Sequence, residues 1–562
     1  MRRLPLLALL TLLCSFGCAT DDDISDAGEI RVPRDTGVGM PAPPMRPDTN
    51  FTPPPGDMGI DPRPDMGIDR PDDGMIPAQD DMGLPPPADS QPTPSADVLM
   101  TGGQGLILRG VVLAPGEAFQ GEVHIIDDTI ECVAPARGCS DQAPGAVTLE
   151  TRGIISPGLI DGHNHLTYNF LDEWVPPSMQ LFNNRYEWAD DPDYEEHIEP
   201  FAANRSSNAV VCPAVKWGEI RSLLHGTTTV QGQSPQRTCT DRLARNADLS
   251  YHNLGPDHLR TTISSVRDIR DEDDGLDRTS LVEQFANGET TRFAVHMAEG
   301  LTGRNVENEF SSYLGEEDRG NAAPRTINLL HSDGAPYITS ILIHALGLTQ
   351  DELRVAADFG AYVVWSPSSN IVLYGMTADI ELMLELGMTV GLGPDWTVSG
   401  EDDMLSELRF ARAYGRQMGI SALTGERLWR MATSDGAEVL GLGDRIGTLA
   451  PGYRADILVV GREGADPYDA LIDAGPEDVR LVLLDGEAYA GDEGLMMATA
   501  VNDACEVLDA CGTRKFVCVA DTPGADDERA GETMAEIERQ LQDRMAEFGR
   551  DRGELLELIQ CR

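Results

Sequence analysis

The chain has 562 residues, of which 41% are hydrophobic, and its 94 acidic residues outnumber its 43 basic residues to give a formal net charge of −51. This length allows roughly two to four domains. The acidic excess argues against a phosphate-binding surface, and therefore against a nucleic-acid partner, because such surfaces need clustered lysine and arginine. We expect a solvated, self-repelling surface instead.

The first residues have the features of an export signal. A pair of arginines precedes an apolar run at Leu4–Leu13, which is too short to span a bilayer as a helix, and Gly17-Cys18 follows. A small residue before a cysteine resembles a bacterial lipoprotein processing site, which implies a signal peptide at 1–18 and a lipid on Cys18. Ala19 in the next position favours the outer membrane over the inner one. The alternative is an ordinary cleaved signal peptide.

Residues 19–96 are rich in proline, aspartate, glycine and methionine and nearly free of aromatic side chains. This composition is typical of disorder, because little apolar surface is available for burial. An Asp-Met-Gly repeat within it offers oxygen ligands for calcium, but its spacing matches no established calcium loop. We therefore predict a disordered tether that holds a folded domain away from a membrane.

The folded part of the sequence shows two patterns of predicted secondary structure. Strand-like segments broken by turn residues occupy 97–156 and return at 443–492. Between them, at 157–442, short apolar strands alternate with helical stretches, as in a parallel α/β domain. We predict a (β/α)8 TIM-type barrel at 157–442 and a small flanking β-sandwich domain built from both sides of the barrel.

The last segment, 493–562, is predicted to be a cysteine-rich extension with one amphipathic helix, because apolar residues from Met534 to Phe548 follow helical spacing. Eight of the ten cysteines lie beyond the signal region. Close Cys-x-x-Cys pairs are absent from the sequence, so disulfides are favoured over a zinc ribbon. Two candidate pairs are Cys132 with Cys139 and Cys212 with Cys239, whereas the pairing of the last four stays open: Cys505, Cys511, Cys518 and Cys561.

Metal-binding side chains end several of the predicted strands. His163 and His165 stand two residues apart, so both imidazoles point to one face of an extended chain. Active sites of parallel barrels are assembled from the carboxyl ends of several strands, so these positions indicate one metal-containing site rather than packing. Further along the chain, the strand-end residues are His296, followed three residues later by Glu299, then His344 and Asp395.

Two short elements make a resemblance specific. His296-Met297-Ala298-Glu299 is similar to a His-x-Ala-Glu element, and Pro367-Ser368-Ser369-Asn370 is similar to a Pro-x-Ser-Asn element. Together with the order of the strand-end residues, they resemble the amidohydrolase superfamily. The closer likeness is to its cytosine-deaminase, guanine-deaminase and triazine-hydrolase branch. The likeness spans roughly 98–489 and leaves out the tether and the cysteine-rich tail.

The resemblance implies one divalent metal, with zinc favoured and iron as the alternative. Its implied ligands are His163, His165, His296 and Asp395, and His344 would lie beside it. No lysine suits a carbamate bridge on a fourth strand, which favours one metal over two.

The resemblance also implies a role for each remaining polar residue. Asp395 would take a proton from a metal-activated water, Glu299 would pass one to the leaving nitrogen, and His344 would polarise the bond under attack. Asn370 is expected to support the pocket wall or contact substrate. Trp396 follows Asp395 where many relatives have a small residue, so we expect it at the pocket rim, with a changed substrate or a partly closed mouth.

These expectations define a hydrolase of carbon–nitrogen bonds in a small molecule. The reaction would be deamination of a heterocycle or opening of a cyclic amide or amidine. Hydrolytic removal of another leaving group, as in a dehalogenase, uses the same residues and stays as an alternative. A surface lipoprotein that only binds a ligand is a further alternative, but it would have no need of Glu299 beside the metal ligands.

Overall fold

The computed structural model describes thirteen stretches of the chain: 104–177, 180–203, 208–232, 243–248, 254, 258–262, 278–303, 306–314, 338–462, 464–499, 504–520, 531–547 and 555–561. The predicted signal peptide with Cys18 and the predicted tether lie outside these residues. Within them, no helix combines the length and the apolar character needed to cross a membrane.

Within the described residues, seventeen strands carry the fold, and many of them contain valine and isoleucine, which favour extended backbone. In chain order they are β1 (Leu106–Ala114), β2 (Glu117–Ile126), β3 (Thr129–Pro135), β4 (Val147–Pro157), β5 (Leu159–Asp161), β6 (Thr227–Val230), β7 (Arg245–Asn246), β8 (Leu259–Thr262), β9 (Arg292–Met297), β10 (Ser340–His344), β11 (Tyr362–Trp365), β12 (Val390–Leu392), β13 (Ile457–Val460), β14 (Val479–Leu484), β15 (Glu487–Asp492), β16 (Glu506–Ala510) and β17 (Thr513–Val517).

Fifteen α-helices in the described stretches connect or follow these strands, and several begin at an aspartate, asparagine or threonine whose side chain accepts a backbone N–H of the first turn. They are α1 (Arg185–Ala189), α2 (Pro192–His197), α3 (Glu199–Ala203), α4 (Asn208–Leu224), α5 (Arg278–Ala286), α6 (Glu309–Tyr313), α7 (Gln350–Asp358), α8 (Pro367–Tyr374), α9 (Ile380–Glu385), α10 (Met404–Met418), α11 (Gly425–Met431), α12 (Ser434–Val439), α13 (Pro467–Ile472), α14 (Glu493–Thr499) and α15 (Met534–Glu547).

The strands β5 to β12 are parallel and lie in two sheets, one in the order β5-β6-β7 and one in the order β12-β11-β10-β9-β8. Strands such as β6 and β10 are buried along their whole length, as expected for parallel strands covered on both faces. Gly162 N donates to Leu392 O at 2.9 Å, so the chain leaving β5 lies beside β12. The first and last of the parallel strands are therefore neighbours. Closure of all eight into one barrel stays a prediction.

The remaining nine strands form one sheet in the order β16-β17-β15-β14-β13-β4-β1-β2-β3. The pairing of β4 with β13 joins the strands before the parallel region to those after it, with Ile155 opposite Val459. The sheet also takes in β16 and β17, so it continues past residue 492 into the segment predicted to be a separate extension. A two-layered sandwich stays a prediction.

Three disulfides join described cysteines. Cys132–Cys139 links β3 to the following turn, as predicted from the sequence. The four tail cysteines, whose pairing the sequence left open, pair as Cys505–Cys518 and Cys511–Cys561. Cys212 is also disulfide-bonded, and its predicted partner Cys239 lies outside the described residues.

The tail packs on the parallel part of the molecule. Ile537, Leu541 and Met545 of α15 are buried, and α15 lies against α4, so most of the predicted apolar stripe is core. Further on, Leu556 N donates to Phe170 O at 3.0 Å, and Leu556 O accepts from Trp217 Nε1 at 3.0 Å. The last described residues are thus fixed to α4 and to the segment after β5.

Candidate active site

The structure brings the predicted metal ligands together at the carboxyl ends of four parallel strands. His163 and His165 follow β5, His296 lies in β9, His344 ends β10, and Asp395 follows β12. The nearest nitrogens of His163, His296 and His344 lie within 4.8 Å of one another. The same limit holds for ligand atoms of His163, His165 and Asp395. Because His163 belongs to both sets, the two sets describe one site.

His163 is held in one orientation by residues that the sequence did not single out. Its Nδ1 is 2.7 Å from Oε1 of Gln231, the residue that follows β6, and Gln231 Nε2 donates to Asp248 Oδ2 at 2.8 Å. An amide oxygen only accepts, so Nδ1 of His163 carries a proton, and its Nε2 is the nitrogen that faces the site. That Nε2 is buried without a hydrogen-bond partner among the described residues.

Asp395 faces the histidines from a left-handed backbone conformation, with φ of 77°. Its Oδ1 lies 3.2 Å from His163 Nε2 and 3.4 Å from His165 Nε2. Its Oδ2 accepts a hydrogen bond from Ser369 Oγ at 2.7 Å. Burial alone would raise the pKa of Asp395, but the neighbouring histidines lower it well below its usual value. The carboxylate is therefore ionised, as a metal ligand or proton acceptor must be.

His296 and His344 are buried, and burial lowers the pKa of both imidazoles. A neutral imidazole is the form that binds a metal. His344 Nδ1 is 3.1 Å from Asn370 Oδ1, so this nitrogen carries the proton and Nε2 faces the site. The structure thus places Asn370 against His344, where it fixes the ring, and a contact of Asn370 with substrate stays a prediction.

Glu299 is buried beside the histidines, just beyond β9. Its Oε2 lies 3.7 Å from His344 Nε2 and 3.4 Å from Arg185 Nη1, and its Oε1 accepts from Tyr374 OH at 2.7 Å. Arg185 N also donates to Glu299 O at 3.1 Å. Arg185 and Tyr374 were missed from the sequence, because neither belongs to a strand-end motif.

Trp396 lies in a cluster of aromatic rings beside the site and is buried. Its ring centroid is 5.2 Å from that of Tyr168, 5.5 Å from that of Trp188 and 5.7 Å from that of His165. Tyr168 and Trp188 belong to residues 166–203, which we name the β5–α4 segment. The imidazole of His165 keeps 20% of its surface exposed, so it is the ligand nearest to solvent. Trp396 is therefore part of a buried aromatic cluster that contacts the candidate ligand His165.

These donors fit a divalent metal. Buried Nε2 atoms of His163 and His344 have no hydrogen-bond partner within the described stretches, and an ionised carboxylate faces the first of them. Unpartnered buried nitrogens are costly unless something coordinates them. Imidazole and carboxylate donors at a spacing of a few ångströms suit zinc and related ions.

A parallel-stranded α/β fold with such donors at its carboxyl edge has the architecture of a metal-dependent hydrolase. A sequence model of the amidohydrolase family matches residues 154–489, more than half of the chain, and the chain belongs to this family. The resemblance read from the motifs is therefore confirmed at the level of the family. The chain is a hydrolase that acts on carbon–nitrogen bonds other than peptide bonds.

Two curated relatives are named 5-methylthioadenosine/S-adenosylhomocysteine deaminase. One, from Desulfitobacterium hafniense, is 26% identical over 437 residues, which cover 70% of this chain and 94% of the relative. The other, from Syntrophobacter fumaroxidans, is 27% identical over 399 residues, which cover 63% of this chain and 84% of the relative. Both alignments extend over most of the relative.

Among solved structures, a mutant of atrazine chlorohydrolase from Arthrobacter aurescens TC1, complexed with zinc and atraton, matches with a TM-score of 0.52 and 21% identity. The match covers 68% of this chain and 95% of that one. A triazine hydrolase variant matches with a TM-score of 0.51 and 20% identity, covering 69% of this chain and 94% of that one. These likenesses show a shared fold and imply the TIM-barrel type.

Proposed function

We propose that this protein is an exported, zinc-dependent deaminase that releases ammonia from an amino-substituted heterocycle. The observation that carries the proposal is the position of Glu299, whose Oε2 lies 3.7 Å from Nε2 of His344 and next to the metal ligands. A protein that only bound a metal or a ligand would have no use for a buried carboxylate there. The relatives named as deaminases support the same reaction.

Each residue has a separate task in this proposal. Zinc, held by His163, His165, His296 and Asp395, would supply a water of lowered pKa. Asp395, which is ionised in the structure, accepts a proton from the attacking water. Glu299 takes up a proton from solvent and delivers it to the leaving nitrogen, which then departs as ammonia, while Asp395 returns its proton to solvent.

We further propose that the protein is lipid-anchored at Cys18 in the outer membrane. The three disulfides between described cysteines support export, because disulfides persist in oxidising compartments. We also propose that β5 to β12 close into a barrel, supported by the contact between β5 and β12. For the nine-stranded sheet we propose a two-layered sandwich, because residues such as Leu108, Val123 and Leu481 form a core of their own.

The test combines metal analysis with product analysis on the purified chain. We expect about one equivalent of zinc per chain and ammonia release from at least one member of a panel of purine nucleosides, pyrimidines and triazines. Glu299→Gln should keep the zinc and lose at least about 100-fold in kcat, since it cannot donate and accept the proton. If the protein releases chloride or an alcohol and no ammonia, its reaction is the removal of another leaving group and not deamination.

A matched control is Glu438→Gln, which makes the same chemical change at a half-exposed carboxylate on α12 that pairs with Arg292. It should leave kcat and zinc content unchanged. Zinc-free wild-type protein that stays inactive after zinc is added back would overturn the proposed function.

A further inference from the structure

Tyr374, the last residue of α8, is buried and joins two parts of the site. Its hydroxyl donates to Glu299 Oε1 at 2.7 Å, and Trp188 Nε1 donates to the same hydroxyl oxygen at 2.8 Å. These three residues form the Trp188–Tyr374–Glu299 hydrogen-bond chain. Trp188 and Tyr374 lie outside the sequence motifs that carry the family resemblance, and Trp188 comes from the β5–α4 segment.

The donor and acceptor of each of these two hydrogen bonds follow from the chemistry of the groups. An indole N–H can only donate, so the oxygen of Tyr374 accepts from Trp188 and its own hydrogen is left for Glu299. Burial raises the pKa of Tyr374 well above its usual value, and the negative charge of Glu299 raises it further. The phenol therefore stays protonated and remains a donor at neutral pH.

The hydrogen bond from Tyr374 makes the two carboxylate oxygens of Glu299 different from each other. Oε1 is occupied by the tyrosine hydroxyl, so the carboxylate cannot rotate freely. Oε2 is left facing His344 Nε2 at 3.7 Å and Arg185 Nη1 at 3.4 Å. A carboxylate fixed in this way presents one defined oxygen to the reacting centre, and such orientation is a large part of what a protein contributes to proton transfer.

We propose that Tyr374 is a positioning residue that acts through Glu299, and that Trp188 holds Tyr374 in its donating orientation. The inference rests on the proposed function, since it concerns the proton that Glu299 passes to the leaving nitrogen. It assigns that proton to Oε2. It also connects the aromatic cluster around Trp396 to the chemistry, because the ring centroid of Trp188 lies 5.5 Å from that of Trp396 and 5.1 Å from that of Tyr194.

The primary variant is Tyr374→Phe, which removes one hydroxyl and keeps the ring. We expect kcat for ammonia release to fall about 10- to 100-fold with KM within about twofold, because the carboxylate loses its orientation while the substrate contacts remain. Trp188→Phe should give a smaller fall in kcat. Zinc content should stay at the wild-type value in both variants.

Matched controls remove the same groups elsewhere. Tyr313→Phe deletes a buried hydroxyl that donates to Ser340 at the start of β10, and Trp429→Phe deletes a buried indole N–H that donates to Ser156. Both controls should leave kcat within about twofold of wild type, because these groups lie away from the carboxyl ends of the strands. A fall of kcat in the controls equal to that in Tyr374→Phe would overturn the inference.

Two further measurements separate this inference from the proposed function. In a Glu299→Gln background, Tyr374→Phe should cause no further loss of residual activity, since it acts through the missing carboxylate. A crystal structure of zinc-loaded Tyr374→Phe should show the Glu299 carboxylate rotated, and an unrotated carboxylate would overturn the inference. Wild-type protein that releases no ammonia would overturn the proposed function, while the carboxylate orientation still decides the role of Tyr374.

Discussion

Gln231→Met should weaken zinc binding without changing any ligand. In the structure, Gln231 Oε1 lies 2.7 Å from His163 Nδ1, and Gln231 is itself held by Asp248. Methionine keeps the length of the side chain but removes the acceptor, so His163 loses the group that fixes its tautomer and ring plane. Loss of such a partner typically reduces metal affinity about 10- to 100-fold, which is about 1.4 to 2.7 kcal/mol.

Competition with a chromophoric chelator at fixed pH measures this change directly. The dissociation constant for zinc should rise by the stated factor, and the thermal stabilisation that zinc gives should shrink accordingly. The control is Gln284→Met, because Gln284 accepts from Arg260 Nε at 3.0 Å on α5, away from the ligands. A zinc affinity for Gln231→Met equal to that of the control would refute the role given to Gln231.

Three further outcomes follow from contacts elsewhere in the chain. Loss of the Cys511–Cys561 bridge, which spans 50 residues, in a serine double variant should lower the free energy of unfolding by about 4 kcal/mol in urea titrations. Burial would raise the pKa of Asp403, but His225 and other neighbours lower it, so its contribution to stability is present above the unfolded pKa of about 3.9 and is lost as pH falls below that value. Asp403→Asn should therefore flatten the acid limb of a stability profile between about pH 4 and pH 2. Trp396→Ala should cost about 3 to 5 kcal/mol in thermal unfolding, because it leaves a cavity within the aromatic cluster.

The clustering of the candidate metal ligands could be predicted from the sequence because each of them follows a readable local rule. His296 and His344 end runs of apolar residues that form buried strands, and Asp395 follows such a run. Since parallel strands share a carboxyl edge, position along the chain was enough to bring these side chains together. The same rule would have found Gln231, which directly follows β6, had glutamine been considered as a support for a ligand.

The groups around Glu299 could not be found in this way. Trp188 and Tyr374 are 186 residues apart, and their hydrogen bond depends on how the β5–α4 segment folds back over α8. No hydrophobic periodicity in the sequence predicts this contact, because short helices and turns make up much of the β5–α4 segment. The pairing of the four tail cysteines was open for a similar reason, since four cysteines allow three pairings and only the path of the chain selects one.

The β5–α4 segment contacts both the C-terminal tail and the residues around Glu299. It supplies Trp188 to Tyr374, and it also supplies Phe170, whose carbonyl accepts from Leu556 in the C-terminal segment. A long segment between a strand and a helix loses much conformational entropy when it becomes ordered, and packing against a covalently fixed neighbour offsets part of that loss. The Cys511–Cys561 bridge fixes that neighbour. The cysteine-rich tail, which lies outside the family match, thus contacts the segment that supplies Trp188, the residue that we propose acts on Glu299 through Tyr374.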